Sequence, residues 1–201
     1  MIASIAVDHL RTSFPDDKTG EALLYCSYKR QDNQKVDDLL ASLLGQLTAW
    51  QSTVPKSIRA LYDEHRRGVK PLLSRNEILE ALSSITKASS RTFIIIDALD
   101  ECKTDRIRNE LLSEVYRLQE ISDIRLMVTF RPSVAPKCPH SVTELEILAD
   151  EGDIEKYISG RMFDLRSVVQ NNNELQCKIK AHILTLVDGM YVLLYPLGLI
   201  Y

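Results

Sequence analysis

Phe93 to Ile96 form an unbroken apolar run, set off by Arg91 and Thr92 before it and Asp97 after it. An unalternated run of this kind predicts a β-strand covered on both faces, the habit of parallel sheets. "ALLYCSY" (residues 22–28) and "IRLMVTF" (residues 124–130) read the same way. "VTELEIL" (residues 142–148) reads as a last strand, from the imperfect alternation of Val142, Leu145 and Ile147.

Helical spacing fills the intervals. Ile2, Ile5, Ala6 and Leu10 share one face of a first helix that ends before Pro15. Val36, Leu39, Leu40, Leu43, Leu44 and Leu47 make a wide apolar stripe on the next. Pro55 opens a helix running to about His65. Ser74 and Glu77 form a capping-box pattern ahead of Ile78, Leu79, Leu82 and Ile85. Ile107, Leu111, Val115 and Leu118 mark another helix, and two more are expected from Asp153 and over residues 179–194. Strands alternating with helices predict an α/β fold: a mostly parallel sheet flanked by helices, with a helical C-terminal segment. The expected boundary divides an α/β part, 1–149, from a helical part, 150–201.

Composition narrows the picture by exclusion. Among the 201 residues, 45% are hydrophobic and 26% charged, which is ordinary for a globular domain and unlike a disordered or fibrous chain. Net charge is −3 with Lys and Arg scattered, so no nucleic-acid footprint is expected. "HRRGVK" (residues 65–70), the densest basic cluster, reads as a solvated helix end and loop. Cys26, Cys102, Cys138 and Cys177 contain no C-x-x-C pair, and "CPH" (Cys138 and His140) lacks further ligands at metal spacing. A reducing, cytoplasmic setting is the expectation. "MIASIAVDHL" has no early Lys or Arg and predicts no signal peptide. "MYVLLYPLGLIY" (residues 190–201) is broken by Pro196 and Gly198 and falls short of the ~20 residues of a membrane span. It reads as a buried helix end, and no membrane partner is expected.

The candidate chemistry sits where the best strand stops. Asp97 closes it, and Asp100 and Glu101 follow within a turn. Open parallel sheets bind ligands beyond the carboxyl ends of their strands. A carboxylate fixed there can hold a hydrated Mg²⁺ against nucleotide phosphates. Asp100 and Glu101 can then orient or deprotonate an attacking water. The plainer alternative is an acidic turn that caps the next helix. The neighbouring strand ends in Thr129 and Arg131, bringing a hydroxyl and a guanidinium to the same lip. An arginine there can grip a terminal phosphate with two donors.

"FIIIDALDEC" and "RLMVTFRPS" resemble the Walker B and sensor region of NACHT-type, STAND-class P-loop NTPases. They are most similar to the nephrocystin-like NACHT domains of fungal NLR-like proteins, often joined to ankyrin or WD40 repeats. "MIASIAVDHLRTSF" resembles the helix after the family's phosphate loop, and "LLYCSY" its second strand. "LEILADEGDIEKYI" resembles the last strand and its helix, and "ILTLVDGMYVLL" the helix leading toward a winged-helix part. The resemblance implies an ATP-dependent switch that uses Mg²⁺ and self-associates through its NACHT domains. It makes Asp97 the Mg²⁺-site carboxylate, Asp100 and Glu101 the acidic pair near the hydrolytic water, and Arg131 the sensor.

Two departures accompany it. Phe130 stands where the family usually has serine, placing a bulky side chain at the lip. None of the seven glycines belongs to G-x-x-x-x-G-K-[ST], the phosphate-cradling loop. By the resemblance, Met1 stands just after that loop, so the loop and the first strand are expected to be missing. In the family that strand lies between the Arg131 strand and the "VTELEIL" strand. The leading expectation is therefore a partial NACHT domain with impaired ATP binding. The alternative is a non-catalytic interaction module of the same fold. A metal-dependent phosphohydrolase fits less well, because Asp97 and Asp100 are three apart rather than two.

Overall fold

Three parallel strands carry the first part of the molecule: β1 (Thr19–Tyr25), β2 (Arg91–Asp97) and β3 (Ile124–Val128), in the order β1-β2-β3. The computed structural model describes residues 2–15, 18–51, 55–66, 73–134, 136, 142–147 and 150–187. Register places Ala22, Ile94 and Leu126 side by side, then Leu24, Ile96 and Val128, on one face. Leu23, Ile95 and Met127 lie on the other.

The first face carries the main core. It packs with α2 (Val36–Trp50), α4 (Arg75–Ala88) and α5 (Asp105–Gln119), whose Leu40, Leu43, Leu82, Ile85, Leu111 and Leu112 are sealed from solvent. Each such side chain contributes about 1.5–3 kcal/mol through burial. α3 (Lys56–Arg66) adds Ile58 to the same core. The expected capping box forms: Ser74 accepts from the Glu77 amide while Glu77 accepts from the Ser74 amide.

The second face meets α1 (Ile2–Ser13), but not by the face the spacing suggested. Ala3 and Val7 are buried against Ile95, with Ala6 and Leu10 beside them, whereas Ile2 and Ile5 are exposed. Small side chains at Ala3 and Ala6 let the helix lie close to the sheet, and that close approach outweighs the larger apolar area of the isoleucines. Helices thus stand on both faces of a parallel sheet. The molecule has the α/β fold that the continuous apolar strands predict, of the P-loop NTPase-like type that the resemblance implied.

Backbone contacts divide the chain into two compact units, 1–139 and 140–201. The second contains α6 (Glu151–Arg161), α7 (Ser167–Gln170) and α8 (Asn173–Val187). Its small core is Ile154, Ile158 and Met162, packed with Tyr157, Ile179 and Ile183. Asp150 caps α6 by accepting from the Gly152 amide. The strand expected over 142–148 is not formed in the described residues 142–147. They have no regular structure, and Val142, Leu145 and Ile147 are exposed. A strand needs a ladder partner, and the three described strands pair only with one another. The readings of "CPH" and of residues 190–201 lie outside the described residues, as do Arg67 to Lys70 of the basic cluster. Among the described residues, no helix is long and apolar enough to cross a membrane.

Candidate functional site

The lip begins with a backbone reversal. After Asp97, Ala98 adopts a left-handed conformation (φ 55°, ψ 50°), and Leu99–Glu101 form a single 3-10 turn. A left-handed residue with a Cβ costs about 1–2 kcal/mol, so its surroundings must hold it. They do. The Ala98 amide donates to Thr129 Oγ1 (2.9 Å), and the Leu99 amide to the Thr129 carbonyl (2.9 Å). The Leu99 side chain is fully buried in the main core.

Thr129 also fixes the key carboxylate. Its hydroxyl donates to Asp97 Oδ1 at 2.7 Å while accepting from the Ala98 amide, so both hydroxyl functions point in set directions. Among the described residues, that is the hydrogen bond the Asp97 carboxylate receives, and no cation reaches it. The next carboxylates are paired. Arg131 Nε lies 3.1 Å from Asp100 Oδ2, and its Nη2 lies 3.8 Å from Glu101 Oε1. Glu101 Oε2 accepts from the Tyr28 amide at 3.1 Å, which ties in the loop after β1.

All five residues singled out from the sequence therefore meet at one lip. Asp97 comes from the end of β2, Asp100 and Glu101 from the turn after it, and Thr129 and Arg131 from just beyond β3. The helix-capping alternative does not hold. α5 is capped by Thr104, which accepts from the Ile107 amide, so the acidic turn stands apart from it. Phe130 is not at the lip as expected: it is half-buried and packs against the main core. Alternation beyond β3 turns Thr129 and Phe130 to opposite sides, so the bulk of Phe130 leaves the lip open. Two surface clefts, one lined by Phe14 and Trp50 and one by His9 and Met127, touch none of these residues.

Three features of the lip are not apparent in the sequence. The Tyr28 amide is a backbone donor with no side-chain signature. The strain at Ala98 shows only in the dihedral angles. Cys26 and Cys102 stand 76 residues apart, yet their sulfurs lie 3.3 Å from one another directly beneath the acidic turn. A shared "C" at the ends of "LLYC" and "LDEC", one residue past the β1 strand and one past the 3-10 turn, is the signal that could have found them.

Among the described residues no group of three His, Cys, Asp or Glu could hold a metal ion, so a cation at the lip would rest on Asp97 and on water. Asp97 presents an anchored carboxylate with one oxygen outside its hydrogen bond, the donor chemistry of a water-retaining Mg²⁺ site. Phosphate contacts are another matter, because the chain has no G-x-x-x-x-G-K-[ST] and the lip contributes Arg131 alone as an identified candidate.

These features define a class: an α/β domain with a parallel sheet whose strand ends gather carboxylates, a hydroxyl and an arginine. Residues 1–131 match the family described as Nephrocystin 3, N-terminal, a span that contains all three strands and the whole lip. The chain belongs to the Nephrocystin 3, N-terminal family. No curated protein matches it.

Proposed function

We propose that the chain carries the Walker B and sensor part of a NACHT-type nucleoside triphosphatase switch. The observation that supports this most is Asp97: a half-buried carboxylate clamped by Thr129, with no cation of its own among the described residues. Bound Mg²⁺ would supply charge neutralisation at the nucleotide phosphates. Asp97 holds it through water, and Thr129 keeps the carboxylate from rotating. Asp100 and Glu101 orient the attacking water. Arg131 starts on Asp100 and changes partner to a terminal phosphate, which releases the carboxylate for that role. Residues 1–149 form the nucleotide-binding core on this reading, and 150–201 lead toward a winged-helix region. The same reading carries ATP as the nucleotide, self-association through NACHT domains, and a cytoplasmic, NLR-like setting of the fungal type.

Titration with a fluorescent ATP analogue, with Mg²⁺ and then with EDTA, tests the proposal. Without a phosphate loop the expected Kd is on the order of 1 mM. Binding should vanish with EDTA and in Asp97→Asn. The pairing of Arg131 with Asp100 and Glu101 favours a second reading, a non-catalytic interaction module that keeps the fold. It predicts no Mg²⁺-dependent binding by the unaltered chain, with a normal thermal melt.

A further inference from the structure

We propose that Cys26 and Cys102 form a reversible intrachain disulfide that fastens the loop after β1 to the acidic turn after β2. The sulfurs are 3.3 Å apart, and both residues are buried, 5% and 3% exposed. Their backbones are pinned rather than free. The Cys26 amide donates to the Asp97 carbonyl (3.0 Å), one step past the Tyr25–Asp97 pair of the β1–β2 ladder. The Cys102 amide donates to the Leu99 carbonyl (3.2 Å) and closes the 3-10 turn. A disulfide needs its sulfurs about 2.05 Å apart, so side-chain rotation must close a gap of roughly 1.2 Å. A thiophilic metal is the competing use of two cysteines. Among the described residues, however, no group of three His, Cys, Asp or Glu could hold one.

The two thiols are unequal. The Cys26 thiol is pushed up by its hydrogen bond with Cys102, by burial and by the Asp97 and Glu101 charges. The Cys102 thiol is pulled down by that same hydrogen bond and by Arg108, against the effect of burial. The pairing itself rests on the geometry, two sulfurs 3.3 Å apart on pinned backbones, and either can begin the exchange.

The oxidant is a low-molecular-weight disulfide of the glutathione type. The thiolate of one cysteine attacks one of its sulfurs, breaking that S–S bond and releasing one glutathione thiolate. The other cysteine, deprotonated in its turn, attacks the mixed disulfide and releases the second. Both cysteines are oxidised, one glutathione disulfide is reduced, and the two protons end on two glutathione thiols. The cross-link would hold the Tyr28 amide against Glu101, so oxidation acts on the lip already described. Its formation does not depend on nucleotide binding, and its test is separate from the test of that reading.

The chain is equilibrated in glutathione buffers of rising oxidised fraction, alkylated, and mapped by mass spectrometry without reduction. Folding is checked by circular dichroism at each ratio. The expected result is a loss of about 2 Da that dithiothreitol reverses, with the Cys26 and Cys102 peptides joined. Exposed Cys177 should instead be alkylated or carry glutathione. A Cys138→Ser/Cys177→Ser variant should show the same loss. Folded protein whose Cys26 and Cys102 stay alkylatable, or end as two separate glutathione adducts, when Cys177 is fully oxidised would overturn the proposal. Peptide mapping of the wild-type chain decides between these outcomes even if a variant fails to fold.

Discussion

Glu21 and Asp97 are both carboxylates on adjacent strands of one sheet, and the protein treats them in opposite ways. Glu21, on β1, is buried, and α1 answers it with a two-pronged contact from Arg11: Nη2 to Oε1 at 2.9 Å and Nε to Oε2 at 3.3 Å. Its charge is neutralised inside the fold. Asp97, at the end of β2, receives a neutral hydroxyl and no cation among the described residues. Buried charges are retained only when paired, so Glu21 reads as architecture. A carboxylate held rigidly with no described cation is the ground for the proposed Mg²⁺ role of Asp97.

Substitutions can break that contrast. Arg11→Ala strands Glu21 and should cost about 2 kcal/mol. That is less than for a wholly buried pair, because the Arg11 side chain is 55% exposed and water can follow it in. Urea unfolding at neutral pH measures it, and a cost near zero would mean Glu21 does not need its partner. Thr129→Val removes the donor to Asp97 and the acceptor of the Ala98 amide, with an expected loss of about 1.5 kcal/mol in the same assay. Ala98→Val, a β-branched residue in a left-handed position, should cost about 1 kcal/mol. Ala98→Gly should stay within about 0.5 kcal/mol of wild type, since relieved strain offsets the added chain entropy. Asp97→Asn keeps an acceptor for Thr129 and should also change stability by less than about 0.5 kcal/mol. If Asp97→Asn proved as costly as Arg11→Ala, the two carboxylates would not differ in kind.

Much of the lip was legible because its logic is local plus one topological rule. The run from Phe93 to Ile96 announces a buried strand, and parallel neighbours bring Asp97 and Arg131 to one edge whatever lies between. The same rule says nothing of ion pairs within the lip. It could not foresee that Arg131 favours Asp100 over Asp97, because that depends on the turn geometry set by Ala98. The buried face of α1 differs from the expected one because periodicity counts apolar residues and ignores distance. Ala3 wins over Ile5 through closeness to Ile95, a tertiary fact. "VTELEIL" failed for the reverse reason: its pattern suits a strand, but a pattern alone supplies no ladder partner, and residues 142–147 pair with no described strand. Cys26 and Cys102 meet only because β1 and β2 are adjacent, which no local window contains.

The central claim, that Asp97 is held for an external divalent cation, is tested most directly with Mn²⁺ as a paramagnetic stand-in for Mg²⁺, read on the backbone amide spectrum. Low Mn²⁺ should first broaden the amides of residues 97–102, Tyr28 and residues 129–131. Excess Mg²⁺ should reverse the broadening, and Asp97→Asn should abolish it while leaving the rest of the spectrum in place. Broadening elsewhere, or broadening at the lip that survives Asp97→Asn, would contradict it.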